Sequence, residues 1–147
     1  MSKDVLSRAL ELGFVSGLRS LTPPAAIALS RGGGASLLLC ALAIGELVGD
    51  KLPRTPARTV PAALLFRTAS GGFAGATISR AAGQPDVRAG AICGAVGALA
   101  GTFAGYEIRR RATADTGLPD FAVALVEDAL AVWAALKLTP GDKRSAA

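Results

Sequence analysis

The chain has 147 residues, 51% of them apolar and 18% charged, with a formal net charge of +5 and no histidine. Glycine (18) and alanine (31) supply a third of it, and mean hydropathy is +0.45. This excludes a disordered chain, a disulfide scaffold, since there are only two cysteines, and any zinc site or general base that needs histidine.

Five helical segments are expected, with no strand alternation. Segment one runs from about Asp4 to Ser30 and is interrupted at Thr22-Pro23-Pro24, which fits either a discontinuous spanning helix or an ordinary loop between two short helices. Arg8, Glu11 and Arg19 interrupt any apolar signal core, so no signal peptide is expected. Gly32-Gly33-Gly34 leads into segment two, about Ala35 to Lys51. The stretch Leu52 to Arg58, with Pro53 and Pro56, separates it from segment three, about Val60 to Ala82. Gly83-Gln84-Pro85-Asp86 precedes segment four, about Val87 to Arg111, and Thr113 to Pro119 precedes segment five, about Pro119 to Leu138.

Segment four contains the longest uncharged run, Ala89 to Tyr106, 18 residues, the lower end of what a spanning helix needs. A water-soluble alanine-rich bundle requires polar stripes at helical period. Along Ser36 to Glu46 and Ala89 to Tyr106 the stripe is absent or made only of Gly, Ser, Thr and Cys. One small domain cannot bury several helices that are apolar all round, so hydrocarbon is the expected solvent. The expected fold is an all-α, polytopic helical membrane domain covering residues 1–147. Trp133 and Tyr106 fit interfacial anchors, while Cys40 and Cys93 read as packing residues.

Small residues supply close packing in lipid. Gly90, Gly94, Gly97, Gly101 and Gly105 form one continuous face of segment four, and Gly13/Gly17, Gly45/Gly49 and Gly71/Gly75 add a GxxxG pair to each of the first three segments. A shift of 81 residues places Gly13 on Gly94, Val15 on Val96, Leu18 on Leu99, Ile27 on Ile108, and Glu46 on Glu127. That suggests an inverted repeat of segments one and two as four and five.

Ionisable groups inside spanning helices are costly and are usually paired or functional. Here they are Arg19, Glu46, Asp50, Lys51, Arg67, Glu127 and Asp128. Two roles stay open: internal salt bridges such as Glu46 or Glu127 with Arg67, or a polar path for a cation, proton or anion. Lysines and arginines cluster at segment ends, which fits lipid headgroups better than nucleic acid. Lys3, Arg8, Lys51, Arg54, Arg58 and Arg109 to Arg111 fall on the N-terminal side of a five-span topology. Arg31, Arg80, Arg88, Lys137, Lys143 and Arg144 fall on the other. The positive-inside rule then favours a cytoplasmic N-terminus.

Glu46-Leu47-Val48-Gly49-Asp50-Lys51-Leu52-Pro53, Arg67 with Gly71-Gly72, Thr116-Gly117-Leu118-Pro119 and Glu127-Asp128 together resemble a family of small bacterial integral membrane proteins classed as domain of unknown function 4126. The resemblance spans roughly residues 13 to 138. It implies a multi-helix protein of the bacterial inner membrane and no particular activity. The expected function is a channel or transporter for a small ion or solute, acting as a homo-oligomer in the lipid bilayer, with a non-transporting scaffold or partner subunit as the alternative. No enzyme activity, metal or cofactor is expected, because the carboxylates lack tight metal-binding spacing.

Overall fold

The computed structural model describes residues 2–32, 34–49, 60–117 and 119–139. These residues form six helices and no strand: α1 (Lys3–Leu18), α2 (Thr22–Arg31), α3 (Gly34–Gly49), α4 (Pro61–Ala81), α5 (Val87–Thr116) and α6 (Asp120–Leu138).

The extra helix comes from segment one, which is two helices. Thr22-Pro23-Pro24 does not break a span. It opens α2, where the fixed φ of proline suits the first turn. The other boundaries follow local chemistry. Gly32, at φ 68°, closes α2, and Gly117, at φ 66°, closes α5 in the left-handed conformation that favours glycine. The Asp86 side chain caps α5 by accepting from Arg88 N–H at 3.0 Å. With that start and that stop, α5 runs five residues past the expected Arg111.

The side-chain register fixes helix directions. Gly71 lies against Gly94 and Gly75 against Gly90, so α4 and α5 are antiparallel. Arg67 reaches Gly17 while Gly71 faces Gly13, so α1 and α4 are antiparallel as well. Helices α1 and α5 therefore run the same way, with Gly13 on Gly94 and Gly17 on Ala98. Leu12 clusters with Ile27, and Val15 with Ala26, so α2 folds back along α1 as a hairpin turning at Arg19-Ser20-Leu21. Helix α3 returns to that turn, because Glu46 bonds to it. Helix α6 descends from the α5–α6 turn, bringing Asp128 to Arg19 and Ala131 and Ala135 to Val15. Six helices alternate up and down.

This topology corrects two expectations. The 81-residue shift lays α1 on a parallel helix, α5, but α3 on an antiparallel one, α6, and it lays the α1–α2 turn on uninterrupted α5. The two copies are therefore not related as one inverted unit. Lys3 and Arg8 also share an end of the bundle with Arg31, Arg80, Arg88 and Lys137. Arg109 to Arg111 lie at the opposite end, because an extra helix reverses everything after α1.

Glycine positions the centre. Helices α1, α4 and α5 form the tightest trio. A methyl added at Gly13, Gly17, Gly75, Gly94, Gly97 or Gly101 would collide with backbone of a neighbouring helix, and one at Gly90 would meet the Ser79 side chain. Gly105 is buried on the same face of α5. Gly45 is the exception. It has no atom within 4 Å of where a Cβ would stand.

The buried apolar side chains are mostly alanine, whereas Leu37, Leu65, Ile92, Val126 and Trp133 face outward, all at least 60% exposed. Arg19 is fully buried, and Arg67 and Asp128 nearly so. Water-soluble domains distribute these residue types the other way round. Among the described residues one helix, Val87–Asp115, is long and apolar enough to cross a membrane; Ser36–Val48 is a shorter apolar helix.

Candidate functional site: the buried tip of the α1–α2 hairpin

A hairpin tip inside a protein exposes backbone groups that neither helix can satisfy. Two prolines in the first turn of α2 remove two of those donors outright, since proline has no N–H. Others are met by side chains from three other helices. The Glu46 carboxylate of α3 accepts from Ser20 N–H through Oε1 and from Leu21 N–H through Oε2, both at 2.7 Å. It thereby caps α2, where the helix dipole also favours a negative charge. From α4, Arg67 Nη1 donates to the carbonyls of Gly17 (2.7 Å) and Leu18 (2.8 Å), at the C-terminal end of α1. Ser70, one turn further along α4, donates to the Ser20 carbonyl. From α5, Thr102 Oγ1 donates at 2.8 Å to Ala98 O in its own helix and lies 3.2 Å from Gly17 O.

Two ion pairs complete the tip. Arg19 pairs with Asp128 of α6, and Arg67 Nη2 lies 3.9 Å from Glu46 Oε1. Two guanidiniums thus face two carboxylates, and the cluster is formally neutral. Its depth follows from Thr102, which lies in the uncharged run of α5 about 6 Å short of Tyr106 at 1.5 Å per residue. A shallow groove between α3 and α6 reaches the same level. It is lined by Leu47, Leu125, Ala129, Val132, Trp133 and Leu136, with Asp128 as its charged member.

Of the expected site residues, Arg19, Glu46, Arg67 and Asp128 converge here. Glu127 does not. It faces α5, with Arg109 Nη1 at 4.0 Å, and Arg109 also binds Asp120 through Nε at 2.6 Å. Adjacent residues on a helix point about 100° apart, which is why Glu127 and Asp128 serve different partners. Asp50 and Lys51 lie outside the described residues. Sequence reasoning missed Ser70, Thr102 and the Ser20 and Leu21 amides. Ser70 was findable, because it sits three residues from Arg67 on one helix face; the amides carry no residue-type signal. Among the described residues, no three of His, Cys, Asp and Glu gather as a metal site would require.

No family model, no curated protein and no solved structure matches this chain.

Proposed function

We propose that the chain is a small multi-spanning membrane protein that moves a small ion or solute past the α1–α2 tip. The observation that carries this reading is the reversal of the chain at Arg19-Ser20-Leu21, with its backbone groups held by Glu46, Arg67, Ser70 and Thr102. Non-helical backbone at membrane depth occurs where it is buried in protein or lines a cavity, and helices that stop part-way are a recurring way to build a transport site. Helix α2, at ten residues, is about 15 Å long and too short to cross a 30 Å hydrocarbon layer, so the α1–α2 pair reads as a re-entrant hairpin. The outward-facing leucines, isoleucines and phenylalanines supply the lipid contact. The exposed apolar side of α3 offers a homo-oligomer its contact surface. Among the described residues the end bearing Lys3 carries six lysines and arginines against three at the other, which favours that end on the cytoplasmic side of a bacterial inner membrane.

The experiment is ion flux in liposomes reconstituted with the purified protein, comparing wild type with Asp128→Asn. Flux that the substitution alters by an order of magnitude, with the fold retained by circular dichroism, supports the reading; no flux above empty liposomes overturns it.

One observation favours the alternative of a non-transporting scaffold. The tip charges are matched within the chain, Arg19 by Asp128 and Arg67 by Glu46, as a purely structural lock would require. That alternative expects the same substitution to lower thermal stability in a protein that conducts nothing.

A further inference from the structure

Helix α1 buries Ala9, Leu12, Gly13, Val15 and Gly17 in the bundle. On its opposite side Ser7, Glu11 and Phe14 follow one another at helical spacing, with Asp4, Arg8 and Leu10 beside them, and all six are exposed. The Ser7 hydroxyl donates to Glu11 Oε1 at 2.8 Å. The Arg8 guanidinium makes no hydrogen bond or ion pair among the described residues.

The height of this stripe sets it apart. Gly97 of α5 faces the Leu10 carbonyl and the Phe14 amide. The turn that carries Glu11 is therefore level with Gly97, near the middle of the uncharged run Ala89 to Tyr106. Every other exposed charge among the described residues falls in the first or last two turns of its helix or in a connecting turn. With the α5 run in hydrocarbon, an outward Glu11 has lipid tails for solvent, and an ionisable group at that depth needs a polar partner. Tails cover the leucines of α3 as well as protein does; they do not satisfy this stripe.

The stripe is complementary to a copy of itself. A two-fold axis along the membrane normal brings α1 against α1 in parallel, each residue level with its counterpart. Arg8 and Glu11 differ in height by about 4.5 Å, three residues at 1.5 Å each, a gap that their long side chains cross. Each Arg8 then reaches Glu11 of the second copy, and Leu10 and Phe14 add apolar contact. Polar side chains of this kind hold helices together in lipid, where apolar surface gives no preference for protein.

We propose that the outward stripe of α1 is the contact between two copies of this chain in the membrane, with Arg8 of each pairing with Glu11 of the other. This deepens the homo-oligomer reading by naming its interface, and it rests on the membrane part of that reading, not on transport.

The test has two arms. With Cys40 and Cys93 replaced by serine, Ser7→Cys and Phe14→Cys, one heptad apart on the same seam, should each form a disulfide-linked dimer in membranes of expressing cells under mild oxidation. Leu37→Cys, on the outer side of α3, should form far less. In the second arm two differently tagged full-length copies are co-expressed, one Arg8→Glu and the other Glu11→Arg. The mixed pair joins opposite charges and each like pair joins equal ones, so mixed capture should exceed like capture by about tenfold or more. A general folding defect in either variant predicts no such preference. Where a charge variant fails to insert, the cysteine series decides. The proposal is overturned by no dimer at Ser7 or Phe14, a dimer at Leu37 alone, capture of the other polypeptide in place of a second copy, or mixed capture no better than like capture. Membrane-bound protein without the α1 dimer removes this contact and keeps the membrane reading; protein that is monodisperse in buffer without any amphiphile removes both.

Discussion

At the scale of single residues, Arg67 and Glu46 act as backbone caps as well as an ion pair, while Arg19 and Asp128 pair with each other. Removing one partner of a buried pair leaves the other charge uncompensated, which costs about 3–5 kcal/mol, whereas replacing both with apolar groups is often close to neutral. Arg19→Met alone should therefore destabilise the protein by about 3 kcal/mol or more, and Arg19→Met with Asp128→Leu should recover most of the loss. Equilibrium unfolding of the two variants and wild type in mixed micelles checks this; a double variant worse than the single one would mean that Arg19 has a role beyond Asp128. Thr102→Val keeps the side-chain volume but removes the hydroxyl from Ala98 and Gly17, two carbonyls of which the first keeps its helical partner. It should cost about 1 kcal/mol, the usual value for one hydrogen bond, in the same assay.

At the scale of helices, glycine divides into two classes that sequence spacing does not separate. Gly17 sits against Ala98, Gly101 and Thr102, so Gly17→Ala has to push α1 off α5. Gly45→Ala meets open space in the middle of α3 and replaces the poorer helix former. The first should lower the thermal midpoint by several degrees, while the second should leave it unchanged or raise it by about 2 °C. Differential scanning fluorimetry on the two variants decides, and equal behaviour would contradict the α1–α5 register. The helices themselves were legible: segments two to five match α3 to α6 within a few residues, because Gly and Pro punctuate the chain where they end. The hairpin was not legible. Thr22-Pro23-Pro24 looks like the interruption of one span or the start of a new helix, and only the contacts of Leu12 with Ile27 and Val15 with Ala26 decide between them. Likewise the sequence singled out Arg19, Glu46, Arg67 and Asp128 by their apolar surroundings. It could not pair them, since their partners lie in other helices and most of the bonds end on backbone.

At the scale of the whole molecule, reading α1 and α2 as a hairpin moves every later element to the opposite side. Ser2 bonds to Gln84 in the α4–α5 turn, which puts Arg88 at the same end as the chain start and Asp115 at the other. In a variant with Cys40 and Cys93 replaced by serine, single cysteines at Ser2 and Arg88 should react with an impermeant maleimide from one side of a sealed vesicle, and one at Asp115 from the other. A five-span topology predicts that Ser2 and Arg88 react from opposite sides.

The pairing of Arg19 with Asp128 also has a consequence in time. Translation at 5–20 residues per second places Asp128 roughly five to twenty seconds behind Arg19, so the first hairpin leaves the ribosome with its guanidinium, two amides and several carbonyls all lacking their final partners. A nascent chain in that condition has no reason to enter hydrocarbon on its own. On the membrane reading proposed above, the first two helices wait at the headgroups, or in the shelter of an insertase, until the last helix is made.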